Sequence, residues 1–229
     1  MFIHLVFDLL AATVAAFLSV VAGRRWLHDL PRSPFRMGDG YFVALGLGVM
    51  LGSYGLGTLN LWLTGLPGIG RSVLGALAGG IVAVELYKVS RGIRGSTGLI
   101  FAPAFAALVA VGRIGCALSG LQDNTFGTPT DLPWGHDFGD GVLRHPVAVY
   151  EGLTMALFLA LALRAIVRRN PVFMRHGFYI MVGFYAAQRF LWEFLKPYAT
   201  VAGPLNLFHL VTLALAGYAV VMISRQRNV

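Results

Sequence analysis

The sequence predicts an all-α integral membrane protein, a bundle of seven transmembrane helices with its N-terminus outside and its C-terminus in the cytoplasm. Three observations predict it. Of the 229 residues, 57% are hydrophobic and only 12% charged, where a soluble domain carries roughly 25% charged residues, and mean hydropathy is +0.71. Seven apolar segments can be counted, at approximately 2–23, 41–63, 72–88, 97–118, 147–166, 177–195 and 205–224. The basic residues between those segments fall preferentially on alternate sides.

Each segment has its own punctuation. The first runs from Phe2 to about Gly23 with no basic stretch before it. A spanning helix needs about 20 residues, so this is a permanent helix rather than a signal peptide. Pro31 and Pro34 follow it, and Pro67 ends the second segment. The third is the shortest. Its Gly75, Ala76, Ala78, Gly79, Gly80 and Ala83 are small enough to let a neighbouring membrane helix approach closely. The run from Arg91 to Gly95 precedes segment four, which ends in Gly112-Arg113-Ile114-Gly115-Cys116. A polar, turn-rich loop covers 119–146. Segment five opens with Arg144-His145-Pro146, Asn170-Pro171 separates it from segment six, and Gly203-Pro204 precedes segment seven. Such Pro and Gly positions are ordinary breakers. No internal repeat interrupts the chain, so residues 1–229 read as one transmembrane helical domain with an external loop at 119–146.

Orientation follows from charge. Arg24, Arg25, Arg32, Arg36, Lys88, Arg91, Arg94, Arg164, Arg168, Arg169, Arg175, Arg225 and Arg227 share one side if seven helices alternate. The other side has Arg71, Arg113, Arg144, Arg189 and Lys196. The richer side is cytoplasmic. The net charge of +8 is therefore a topology signal, and nucleic acid is not an expected partner. The single cysteine, Cys116, allows no internal disulfide.

Ionisable residues in membrane segments are costly and mark functional sites. Arg113 lies near the outer end of helix 4, where Gly112 and Gly115 leave room for a headgroup or another backbone. Tyr185, Arg189 and Glu193 recur at i, i+4 and i+8 on one face of helix 6. That pattern reads either as a self-satisfied ion pair or as an arginine for a lipid phosphate, oriented by Glu193, since guanidinium donates two parallel hydrogen bonds. Arg144, His145, Tyr150 and Glu151 open helix 5. His145 is a general base, a phosphate donor or a simple helix-start residue. Glu151 needs a cationic partner, Arg113 or Arg189. His4 and Asp8 are spaced as a structural pair, and Glu85 is interfacial. Asp137 and Asp140 are too few for a calcium loop. No zinc spacing, Walker loop or Gly-x-Ser-x-Gly elbow occurs, so neither metal nor cofactor is expected.

Gly112-Arg113-Ile114-Gly115, the Gly127-Thr-Pro-Thr-Asp-Leu-Pro-Trp-Gly135 run, Arg144-His145-Pro146 with Tyr150-Glu151, Gln188-Arg189-Phe190 and Glu193-Phe194 together resemble the prolipoprotein diacylglyceryl transferase family. The resemblance covers about residues 70–196. It implies a bacterial inner-membrane enzyme with its site toward the outer leaflet. Such an enzyme moves the diacylglyceryl group of phosphatidylglycerol to the lipobox cysteine of a prolipoprotein, releasing glycerol phosphate and forming a thioether. It also implies that Arg113 and Arg189 match the family's essential arginines, His145 the histidine of its Arg-His-Pro element, and Glu193 the acid after the second arginine. The chain departs from the family at three places. Leu74 stands where the His-Gly-Gly histidine belongs, Cys116 replaces an asparagine, and Ser119 to Phe126 replaces an Asn-Gly-Glu stretch.

The expectation is therefore a phospholipid-dependent transferase in which Arg113, His145 and Arg189 are catalytic. Gly112, Gly115, Arg144, Tyr150, Glu151, Tyr185 and Glu193 would bind substrate. Two alternatives keep the site: a transferase using an anionic phospholipid with a non-protein acceptor, and a non-catalytic lipid-binding or transport protein.

Overall fold

The computed structural model describes the backbone of residues 2–30, 33–123 and 125–227, and their side chains except those of Phe2, His4, Gln122, Asp123, Gln226 and Arg227. Pro31, Arg32 and Asn124, the side chains of Asp123 and Arg227, and the His4 half of the expected His4–Asp8 pair lie outside it.

Among the described residues seven long helices form: α1 Phe2–Val21, α2 Asp39–Leu63, α3 Val73–Ser90, α4 Phe101–Ser119, α5 Val147–Val167, α6 Pro171–Glu193 and α7 Leu207–Arg227. A π-helical turn, Ala22–Trp26, extends α1. Two short antiparallel ribbons add to the all-helical expectation: β1 His136–Asp137 with β2 Leu143–Arg144, and β3 Thr200–Ala202 with β4 Leu205–Asn206. Six of the helices are long and apolar enough to cross a membrane by length and composition; α6 is the exception.

α6 begins at Pro171, six residues before the apolar segment expected at 177–195, and ends at Glu193. The difference has a local cause. Arg169 adopts a left-handed conformation at φ 51°, and Asn170 N–H donates to the Ala165 carbonyl at 2.9 Å, which closes α5. The Asn170 side chain then accepts from Phe173 N–H at 3.0 Å, with Pro171 in the first turn. An Asn cap followed by Pro is a helix start, so the residues read as a breaker both end one helix and begin the next. Leu205 and Asn206, expected in the seventh helix, belong instead to β4. Asn206 caps α7 by accepting from His209 N–H at 3.1 Å, while its own N–H donates to His209 Nδ1 at 3.1 Å, the reciprocal form of a capping box.

Packing groups the chain into two compact units. One holds Met1–Asp29 and Leu99–Pro197, the other Leu30–Gly98 and Tyr198–Val229. In the second unit α2 packs on α3, and α3 on α7. Gly48 and Gly52 of α2 lie directly against Gly79 and Gly75 of α3, where an added Cβ would collide with backbone carbonyls. The small-residue stripe of helix 3 is thus a close helix contact, as its composition indicated. Glu85, expected near the membrane interface at the inner end of helix 3, is held by Lys88 at 2.9 Å and by the Tyr218 hydroxyl of α7 at 2.8 Å. In the first unit α4 packs on α1 and α5, and α5 on α6. That unit holds the candidate site.

Candidate functional site

The ends of three helices converge in the first unit. Arg113 comes from the last turns of α4, Glu151 from the second turn of α5, and Arg189 and Glu193 from the last turns of α6. Glu151 is fully buried, and Arg113, Arg189 and Glu193 are 7%, 4% and 1% exposed. Glu151 Oε2 lies 2.5 Å from Arg113 Nε. Its Oε1 accepts from Arg189 and lies 2.8 Å from Lys196 Nζ. Arg189 Nε in turn lies 3.0 Å from Glu193 Oε2. The expected partner of Glu151, either arginine, is therefore both of them and a lysine besides.

Burying charges costs several kcal/mol per ion unless the partners are well placed. Three cations around two carboxylates leave this cluster with one formal positive charge. Lys196 was absent from the expected site. It follows Arg189 by seven residues and Glu193 by three, so helical spacing already put it on their face. Burial, followed by the neighbouring Arg189, pulls its ammonium down to about 8, against the opposing pull of Glu151.

Tyr185, one turn before Arg189, is fully buried with its ring 5.0 Å from Phe105 of α4, edge to face. Gly112 and Gly115 were expected to admit a headgroup or another backbone, and they face α1. A Cβ on Gly115 would lie 2.6 Å from Phe7, and one on Gly112 would meet only Ala11, at 3.9 Å. Gly115 thus seats α1 against α4. Arg113 also donates to Cys116 Sγ at 3.7 Å.

The 119–146 loop folds back on the helix ends. Thr128 N–H donates to the Leu195 carbonyl at 2.7 Å, His145 N–H to the Thr128 carbonyl at 3.0 Å, and Thr130 N–H to the Leu143 carbonyl at 2.9 Å. Two sequence blocks on either side of the β1–β2 turn, 127–135 and 144–146, are thereby paired. Asp137 Oδ1 accepts from the backbone of Gly139, Asp140 and Gly141 at 2.8–3.1 Å. The two glycines have φ 103° and 76°. The Asp137 to Gly141 run is therefore a ribbon turn. Arg144 belongs to this ribbon: it pairs with Asp140 at 2.6 Å, lies over the Phe126 ring at 5.3 Å, and holds the Asp140 carboxyl below its ordinary range.

His145 precedes α5, half-buried, with its ring 6.3 Å from that of Tyr150. The Tyr150 hydroxyl accepts from Trp134 Nε1 at 2.7 Å, and its ring lies 5.2 Å from Trp192 of α6. Trp134 belongs to the 127–135 run but carries no expected site role from sequence, and Trp192 carries none either. Leu74, at the place of the missing histidine, is 1% exposed in α3, in the other unit. Among the described residues, no group of three His, Cys, Asp or Glu side chains is placed to hold a metal ion.

What this arrangement can do is bind one anion. Two guanidinium groups and an ammonium, buried and ion-paired with one charge in excess of their carboxylates, stabilise negative charge better than the same groups in water.

Comparison with known proteins bears on which anion. A family model described as prolipoprotein diacylglyceryl transferase matches residues 7–225. A protein of Geobacter sulfurreducens named phosphatidylglycerol–prolipoprotein diacylglyceryl transferase is 30% identical over 238 residues, covering 94% of this chain and 88% of its own. Proteins of the same name from Mesorhizobium japonicum and Cupriavidus metallidurans are also similar. The first is 36% identical over 97 residues, covering 42% of this chain and 33% of its own. The second is 35% identical over 133 residues, covering 56% and 47%. No solved structure shows significant similarity.

Proposed function

Since the chain belongs to the prolipoprotein diacylglyceryl transferase family, we propose that it is a multi-pass membrane transferase that moves the diacylglyceryl group of phosphatidylglycerol to the lipobox cysteine of a prolipoprotein. The observation that carries this reading is the buried Arg113–Glu151–Arg189–Glu193–Lys196 cluster with its single excess positive charge. That charge matches the single negative charge of a phosphodiester.

In the reaction, the acceptor sulfur attacks the glyceryl carbon bonded to the phosphate oxygen. The C–S bond forms as the C–O bond breaks, and glycerol phosphate leaves. Charge grows on the departing phosphate, so the cations that matter are those fixed beside it, Arg113 and Arg189. Glu151 and Glu193 orient these guanidinium groups. His145, at the mouth of α5, takes the thiol proton. Tyr185, one turn before Arg189, and Tyr150, packed on Trp192, are the aromatic groups that hold the donor lipid, and Arg144 fixes the ribbon that carries the loop.

The chain crosses the bacterial inner membrane seven times as one transmembrane domain, with the N-terminus outside and the site toward the outer leaflet. The Lys/Arg asymmetry supports this, as does the meeting of the α4, α5 and α6 ends that alternate crossing puts on one side. An impermeant thiol reagent applied to intact cells should label Asp137→Cys in a Cys116→Ser background. Labelling only after the inner face is opened refutes the orientation.

Purified protein incubated with phosphatidylglycerol and a lipobox peptide should release glycerol phosphate and add one diacylglyceryl group to the peptide thiol. A second reading, with a non-protein acceptor, draws on Leu74 in place of the family histidine. Glycerol phosphate release without peptide modification, in the presence of a small alcohol or amine, would favour it.

A further inference from the structure

The first unit buries polar atoms that meet no hydrogen-bond partner: the Tyr185 hydroxyl, both amide atoms of Gln188, Trp192 Nε1 and His145 Nδ1. Three of these residues lie on α6 at i, i+3 and i+7, one stripe of the helix running beside Arg189. His145 joins them through Tyr150, whose ring lies 6.3 Å from His145 and 5.2 Å from Trp192. Gln188 is only 6% exposed. A buried amide without partners costs on the order of 1–3 kcal/mol, so its burial beside the charged cluster points to a ligand group.

The hydrogen-bonding inventory identifies the chemistry. Trp192 Nε1 only donates, and the Gln188 nitrogen donates twice. Gln188 Oε1 only accepts. An ionised phosphodiester has acceptors alone, so it cannot satisfy that oxygen. A hydroxyl both donates and accepts. Phosphatidylglycerol carries two hydroxyls, on the second and third carbons beyond its phosphate ester oxygen, and Gln188 precedes the phosphate-binding arginine in sequence.

We infer that the Tyr185–Gln188–Trp192 stripe is a hydroxyl-reading subsite for the donor headgroup, with Gln188 as its specificity-determining residue. The inference rests on the transferase reading for the identity of the lipid. Arg189 holds the phosphate. Gln188 Oε1 accepts from a headgroup hydroxyl, while its nitrogen and Trp192 donate to the hydroxyl oxygens. Lipids with the same charge but no headgroup hydroxyl leave the amide unpaired and are disfavoured by that loss.

The test compares phosphatidylglycerol with phosphatidylpropanol of the same acyl chains, which has the charge and lacks the hydroxyls. The full-length protein in detergent is measured twice: by competitive binding of the two lipids in native mass spectrometry, and by glycerol phosphate or propyl phosphate release with a lipobox peptide. The parental protein should prefer phosphatidylglycerol about tenfold, the value of one or two neutral hydrogen bonds. Gln188→Met keeps the volume and removes an unpartnered amide, so its melting temperature should not fall, while the binding ratio drops towards one. Tyr185→Phe, which loses only a hydroxyl, should lower the ratio in the same direction. A parental protein that binds the two lipids equally overturns the inference, as does Gln188→Met with an unchanged ratio. The binding ratio is independent of turnover. Discrimination in binding without phosphate ester release overturns the transferase reading and upholds the subsite.

Discussion

Replacing Glu151 with Gln changes one oxygen to nitrogen and nothing in volume, yet it removes the carboxylate on which three cations converge. Glu151 is fully buried, and the side chains of Arg113, Arg189 and Lys196 that meet it are 8%, 5% and 0% exposed. After the substitution only Glu193 remains negative, and the cluster rises from one excess positive charge to two. Removing one partner of a buried ion pair typically costs about 3–5 kcal/mol. With three cations affected, the loss should sit near the top of that range, about 5 kcal/mol, limited because Lys196 can release its proton. Adding Lys196→Met to Glu151→Gln returns the excess charge to one, so the double variant should recover part of the loss. Thermal and denaturant unfolding in detergent, followed by tryptophan fluorescence, gives the four corners of the cycle. A coupling of more than 1 kcal/mol, with the double variant more stable than Glu151→Gln, is expected. Parental stability of Glu151→Gln, or strict additivity, refutes the shared-carboxylate account.

Further outcomes follow from the same geometry. Gly52→Val should cost about 1–3 kcal/mol, because its Cβ meets the Gly75 carbonyl and lies 2.9 Å from Gly79 Cα; Gly46→Ala, with open space around it, should cost nothing, and equal melting temperatures for the two variants would contradict the α2–α3 contact. Phospholipid binding should weaken as pH rises through about 8, where Lys196 loses its proton and the cluster its excess charge. The stability sign is opposite: a lysine depressed on folding disfavours the folded state below that pH, and the cost is relieved between it and the ordinary lysine value. Lys196→Arg should shift the loss of binding beyond pH 10, and an unchanged profile would remove Lys196 from the site.

Much of the site was legible because its residues obey simple spacing. Tyr185, Arg189 and Glu193 share a helical face whatever surrounds them, and Glu151 in an apolar helix demands cations. The same spacing extended past the end of α6 reaches Lys196, but a residue beyond a helix terminus carries no periodic signal of its own. Gln188 is legible only as part of the Gln188-Arg189-Phe190 match, with no role of its own: a neutral amide looks ordinary until its burial and its missing partners are known. The ribbon that joins 128–130 to 143–145 depends on pairing between residues far apart in sequence, which hydropathy does not encode. Gly115 left two readings open from sequence, a headgroup or another backbone, and only packing shows that Phe7 of α1 is its neighbour. The start of α6 went unseen because Arg175 and His176 dilute its first turns, while the Asn170-Pro171 cap that starts it was read only as a break.

In the proposed reaction Arg113 and Arg189 stabilise the departing phosphate and are not merely structural partners of Glu151 and Glu193. Lysine at either position keeps the charge beside Glu151 and loses the planar fork that binds phosphate through two hydrogen bonds. The deciding measurement is glycerol phosphate release from phosphatidylglycerol by Arg113→Lys and Arg189→Lys, alongside their melting temperatures in detergent. Both variants should fold, with turnover reduced at least about a hundredfold, the scale of losing one donor to a developing anion. Turnover at the parental rate by both lysine variants contradicts that role of the arginines.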